Sequence, residues 1–137
     1  MSNNFFEIKN VDFKVGNKVK VKNVCFSIEN EGDIICLLGP SGIGKTTILR
    51  TIAGLENINK GSIELKGKIL SSEKTKIEPE NRNVSLAFQE NSLFPHYNVK
   101  KNILLGMERN KGKKKQPIRF EELIDLLDIS QILNKYP

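Results

Sequence analysis

Apolar and polar residues partly alternate along Phe5–Val15 and again along Val19–Ile28, with Gly16-Asn17 between the two runs. Alternation sends successive side chains to opposite faces, and a Gly-Asn pair suits a tight reversal, so this stretch predicts a β-hairpin. Ile34-Ile-Cys-Leu-Leu38 reads differently, as a short unbroken apolar run. Its length and β-branched content predict a strand buried on both faces, as in a parallel sheet. Gly39–Gly44 is glycine-rich, and Lys45–Ala53 has helical character closed by Gly54, a left-handed C-cap candidate. Gly61–Leu65 and Lys68–Leu70, divided by Lys66-Gly67, predict a second, shorter hairpin. A polar loop, Ser71–Arg82 with Pro79, leads to Val84–Phe88, which reads as a second buried strand. Asn98 is placed to cap a helix over Val99–Leu105, and Phe120, Leu123, Ile124 and Leu127 recur at the spacing of an amphipathic helix.

Charge changes this picture little. The chain has 137 residues and a net charge of +6, but Lys111, Lys113, Lys114 and Lys115 crowd into one stretch and supply four of those six charges. Aromatic residues make up 7% of the chain, with no Trp, and form no evident base-stacking platform, so nucleic acid is not the expected partner. Cys25, Cys36 and the single His96 lack the spacing of a zinc site. Both cysteines sit in apolar runs and are expected to be buried, reduced thiols. The start, Met1-Ser-Asn-Asn, is polar, so a standard export signal is not expected. No apolar run approaches the roughly 18 residues that a membrane span needs.

The candidate chemistry lies in Gly39-Pro-Ser-Gly-Ile-Gly-Lys-Thr46, which fits G-x-x-x-x-G-K-[ST] between a predicted strand and a predicted helix. A triphosphate needs many donors converging from one side. Glycines at 39, 42 and 44 let the backbone curl so that successive N–H groups, including those of Pro40's neighbours Ser41 and Ile43, point inward. The helix starting at Lys45 adds unpaired N–H groups and a positive dipole end. Lys45 supplies a mobile charge for the β- and γ-phosphates, Thr46 a hydroxyl for Mg²⁺, and Thr47 reaches the α-phosphate.

These residues carry a resemblance. Leu37–Arg50, then Ile52-Ala-Gly-Leu55 and Gly61-Ser-Ile, resemble the nucleotide-binding subunit of ABC transporters. Arg82–His96, followed by Asn98-Val and Asn102-Ile, is similar to the Q-loop region of bacterial importers. The resemblance implies an α/β fold: a P-loop NTPase core with an antiparallel β subdomain and the start of a helical subdomain. It divides residues 1–137 into a P-loop at 39–46, a Q-loop region at 84–98 and a partial helical subdomain at 98–137. It also implies ATP and Mg²⁺ as ligands, with Gln89 reaching the metal and attacking water and joining Lys45 in catalysis. Leu93-Phe-Pro-His96 matches the surface that meets the transmembrane permease subunits. The implied assembly pairs two ATPase subunits, as a homodimer or otherwise, on the cytoplasmic face of the cell membrane. Solute import follows, with ferric iron favoured over polyamines and inorganic anions.

The sequence also departs from the family pattern. Where the family places an aromatic residue to stack on adenine, this chain has Val15. Phe13, two residues earlier on the same strand face, either takes that role or belongs to the core. His96 is not the family's switch histidine and is expected to be structural. The signature loop (LSGGQ), the strand ending in Asp-Glu and the switch histidine have no counterpart in these 137 residues. Leu123–Asp128 is no substitute, because its periodicity is helical and places Asp125 and Asp128 on a solvated face. The chain is therefore expected to be the N-terminal portion of a longer ATPase domain, either binding nucleotide without turnover or acting as part of the transporter. A different P-loop protein, such as a small kinase or GTPase, fits the Gln89 region poorly, and no Asn-Lys-x-Asp segment occurs.

Overall fold

In a computed structural model the described residues are 4–15, 18–88, 92–109 and 118–137. They fall into two compact units, Met1–Leu86 and Ala87–Pro137.

The first unit is built on two antiparallel hairpins. Strands β1 (Phe6–Val15) and β2 (Lys18–Ile28) form the long one, and β3 (Ser62–Leu65) and β4 (Lys68–Ser72) the short one. Together they make one sheet in the order β2-β1-β3-β4. The short reversal at Lys66-Gly67 has positive φ at both residues, 51° and 73°, the backbone that matches the twist of a two-residue hairpin. The Gly16-Asn17 turn lies outside the described residues.

The long hairpin contains irregularities that plain alternation did not reveal. Ile8 pairs with Phe26 and Val11 with Val24, so β1 advances three residues while β2 advances two. Asn10, at φ 51°, is the extra residue. The next step reverses the imbalance, since Phe13 pairs with Val21 and Asn23 sits at φ 54°. Side chains fix both bulges. Asn10 N–H donates to Cys25 Sγ at 3.2 Å, the Cys25 thiol donates to Asn10 Oδ1 at 3.1 Å, and Asn23 N–H donates to Asp12 Oδ1 at 2.8 Å. The paired bulges return Phe6, Ile8, Val11 and Phe13 to a single face. There they pack with Ile58, Ile63 and Leu70 as the core.

Helix α1 (Lys45–Ala53) ends where the sequence predicts, at Gly54 with φ 92°, whose N–H turns back to the carbonyls of Arg50 and Thr51. Gly61 has a steric role as well as a positive φ of 84°. A Cβ there would meet the backbone carbonyl oxygen of Lys9 at 2.1 Å, so the loop can cross β1 only without a side chain.

Three expectations fail in this unit. Ile34–Leu38 and Val84–Phe88 form no strand, although both were expected to be buried in a parallel sheet. Ile34 and Leu38 are about nine-tenths exposed, and Phe88 is also exposed. A parallel strand is held only through ladders to its neighbours, and no described strand lies beside either run. The Ile34–Leu38 backbone still alternates: Ile35 and Leu37 face an apolar cavity of about 360 Å³ that Phe26, Leu49, Ile52 and Val84 also line. The cysteines are the third correction. Both Cys25 and Cys36 are exposed, the first on a bulged strand and the second in the unpaired run.

The second unit contains α2 (Val99–Arg109) and α3 (Phe120–Leu127). Asn98 caps α2 as predicted, its Oδ1 accepting the Lys101 N–H at 2.9 Å, and the helix runs four residues beyond Leu105. Asp125 and Asp128 are exposed, and Asp128 ends α3 at φ 50°. The lysine-rich stretch Lys111–Lys115 lies outside the described residues.

Candidate functional site

The Gly39–Thr46 loop turns on glycines that take backbone other residues rarely adopt. Gly42 has φ 77°, and Gly44, the N-cap of α1, has φ 115° with no side-chain cap. Lys45 bends back across this turn, its Nζ donating to Gly39 O at 2.6 Å and Pro40 O at 2.9 Å. The ammonium is thereby held over the loop that the glycines shape. Ser41, Gly42, Gly44, Lys45, Thr46 and Thr47 line a cavity of about 250 Å³ beneath it.

The donor set of that cavity is one-sided. It offers an ammonium, three hydroxyls and the first turn of a helix, and none of its lining residues is a carboxylate. The first N–H groups of an α-helix have no acceptor within the helix. In α2 they are satisfied: Val99 N–H donates to Lys135 O, Lys100 N–H to Leu133 O and Lys101 N–H to Asn98 Oδ1, each at 2.9 Å. In α3 the Glu122 carboxylate accepts the Arg119 N–H at 3.1 Å. Helix α1 has no such side-chain cap, and its first turn opens on the cavity. An anion is the ligand this chemistry suits. The volume lies below the about 300–1,000 Å³ of whole-ligand pockets, so the cavity suits a phosphate chain better than a nucleoside. The larger apolar cavity beside Ile35 lacks a comparable set of donors and reflects the unpaired run.

The predicted residues do not all gather here. Phe13 is fully buried in the core below the sheet, so it is not offered to a base. That alternative is corrected: the bulges at Asn10 and Asn23 keep Phe13 on the core face. The Val15 side chain and Gln89 lie outside the described residues. In the second unit, Leu93 and Phe94 are exposed on a turn held by one side chain. Asn102 Oδ1 accepts the Phe94 N–H at 2.8 Å, and its Nδ2 donates to Phe94 O, Tyr97 O and Asn98 O. His96 stacks edge-on against Tyr97 with centroids 4.3 Å apart, and Lys101 Nζ lies 4.1 Å over the Tyr97 ring. His96 is thus a packed member of an aromatic turn, as expected.

Sequence reasoning missed Arg82. It is buried, and its guanidinium donates to Ile77 O at 2.7 Å, Thr51 O at 3.1 Å, Ile52 O at 2.8 Å and Ser71 Oγ at 2.7 Å. Burial pulls this group below the ordinary arginine value, partly offset by the nearby Glu78 carboxylate. Gly54 makes room for it, since a Cβ there would come within 2.6 Å of Arg82 Nε. Charged residues are so rarely buried that pattern alone gives no signal for this placement.

Comparison with known proteins bears on the same residues. The family model described as ABC transporter matches residues 21–137. Over 138 residues the chain is 35% identical to the Fe(3+) ions import ATP-binding protein FbpC of Haemophilus influenzae, covering 100% of this chain and 39% of that protein. It is 38% identical to the sulfate/thiosulfate import ATP-binding protein CysA of Synechococcus elongatus, covering 96% and 37%. The sn-glycerol-3-phosphate import ATP-binding protein UgpC of Rhodopseudomonas palustris is 37% identical, with 97% and 32% covered. The chain thus spans less than two-fifths of the length of these curated relatives. A solved nucleotide-free ATP-binding cassette from an ABC transporter superposes with TM-score 0.72 at 21% identity, over 97% of this chain and 57% of that one. The fold is accordingly that of an α/β ATP-binding cassette, with its antiparallel subdomain formed here by β1–β4.

Proposed function

Because this chain belongs to the ABC transporter family, we propose that its Gly39–Thr46 loop holds the triphosphate of ATP and that the protein is the ATP-binding component of a solute importer. The observation that carries this is the one-sided donor cavity, with Lys45 Nζ held over the loop by Gly39 O and Pro40 O. An entering γ-phosphate exchanges two neutral acceptors for a charged one, and charge-assisted hydrogen bonds are roughly twice as strong. The first-turn N–H groups of α1 fix the phosphates without reorganising, and Thr47 borders the α-phosphate end. Thr46 and Gln89 are the residues that would hold Mg²⁺, which supplies charge neutralisation across the β- and γ-oxygens.

Residues 98–137 then start a helical subdomain, and the exposed Leu93–His96 turn meets the permease subunits at the cytoplasmic face of the membrane. Two such ATPase subunits pair in the working transporter. No helix among the described residues is long and apolar enough to cross a membrane. The relatives named for iron, sulfate and glycerol phosphate are equally similar, between 35% and 38%, so the proposal extends to a solute importer, with ferric iron one of three candidate cargoes.

The 137-residue polypeptide itself binds without turnover on this reading. Phosphoryl transfer to water needs a positioned base, and no carboxylate lines the Lys45 cavity. Titration with Mg·ATP should show saturable binding, displaced by inorganic triphosphate and not by adenosine, with phosphate release no faster than in buffer. Binding that adenosine displaces equally well would overturn the phosphate-chain assignment. Steady release at the 1–100 s⁻¹ order of phosphoryl-transfer enzymes would overturn the no-turnover statement.

A further inference from the structure

The burial of α1 is lopsided. Thr51 and Ala53, in its last turn, are its buried residues, whereas Thr46 and Leu49 toward its start are exposed. The helix is therefore gripped at its carboxyl end while its amino end forms the phosphate cavity. Arg82 is the grip. Its Nη1 donates to the last-turn carbonyls of Thr51 and Ile52, its Nη2 to Ser71 of β4, and its Nε to Ile77 O of the following loop. None of these acceptors is a carboxylate. The positive charge sits instead at the negative end of the helix dipole, where it is favourable.

We propose that Arg82 is a positioning residue of the triphosphate site, setting the angle of α1 from its far end by joining the last-turn carbonyls to β4. This inference rests on the phosphate-binding reading of Gly39–Thr46. The lever is short and stiff: nine residues span about 13 Å, so a tilt of about 5° at the gripped end moves the cavity end by roughly 1 Å. Misplacement of that size costs up to about 10²-fold in a site built on fixed geometry. Lysine cannot replace the grip, because one ammonium lacks the planar fork that reaches three elements at once.

The test compares the full chain with Arg82→Lys and with Leu70→Ala, a core truncation that also lowers stability but touches neither α1 nor the cavity. Mg·ATP affinity and hydrogen exchange of the Lys45–Ile48 amides are measured on folded protein. Arg82→Lys should bind about tenfold or more weakly and exchange faster at those amides, while Leu70→Ala stays within about twofold in affinity. Equal affinity in Arg82→Lys and the unaltered chain would overturn the proposal and leave the phosphate site standing. A parallel loss in Leu70→Ala would overturn it too, because the loss would then follow stability alone. Absence of binding by the unaltered chain would strike the phosphate reading first and this inference with it. Should Arg82→Lys fail to fold, Ser71→Ala, which removes only the Nη2 acceptor, is read in its place. A loss of about threefold or more supports the grip, and unchanged affinity contradicts it.

Discussion

Truncating Phe13 to alanine is expected to remove about 3–5 kcal/mol of stability and to leave the triphosphate affinity of the folded chain unchanged. The ring is fully buried among the residues that β1, β3 and β4 turn inward. Its loss leaves a cavity that the neighbouring strands, pinned by the Asn10 and Asn23 bulges, cannot close. Total stability of a domain is only about 5–15 kcal/mol, so denaturant unfolding should show a large fall in midpoint. Phe13→Leu keeps most of the volume and should cost under about 1.5 kcal/mol. If Phe13 stacked on a base, the leucine variant would lose preference for ATP over inorganic triphosphate. The core placement predicts that this preference does not move.

Lys45→Ala has the opposite profile. The affinity for Mg·ATP should fall about 10²-fold, the scale of one lost charge-assisted contact worth about 1.5–3 kcal/mol. Stability should change by no more than about 0.5 kcal/mol, since the carbonyls that Lys45 releases at Gly39 and Pro40 lie on exposed residues and are taken up by water. Calorimetric titration beside a melting curve separates the two effects. A variant that binds normally, or one that loses binding only because it unfolds, contradicts the role given to this ammonium.

How much of this was legible in the sequence depends on what each signal measures. The bounds of α1 could be read because Gly44 and Gly54 change the backbone sign at both ends, and that choice is local. The Lys66-Gly67 reversal was legible for the same reason. The Ile34–Leu38 run shows the limit of periodicity. Apolar alternation specifies an extended segment seeking burial, but its ladder depends on neighbours elsewhere, and none is present among the described residues. Asn10 and Asn23 hid their bulges because an asparagine at positive φ looks like any polar strand residue. Arg82 was hidden by its charge: its burial depends on carbonyls from α1 and the loop after β4, separated from it by up to 31 residues.

The candidate site was legible where chemistry is carried by consecutive residues. Gly39–Thr46 holds its glycines, its lysine and its helix start in one octapeptide, and the structure gathers them around one cavity. The base-stacking alternative failed because it required Phe13 to face outward, and two bulges decide otherwise.

The central claim is that this octapeptide, and not the lysine-rich stretch Lys111–Lys115, receives a triphosphate. Amide-resolved NMR of the 137-residue chain titrated with Mg·ATP, repeated with inorganic triphosphate, addresses it directly. The account predicts saturable shifts at Gly42, Gly44, Lys45, Thr46 and Thr47 with both ligands. Shifts confined to the Lys111–Lys115 stretch, weakening with salt and leaving Gly42–Thr47 unmoved, would contradict it.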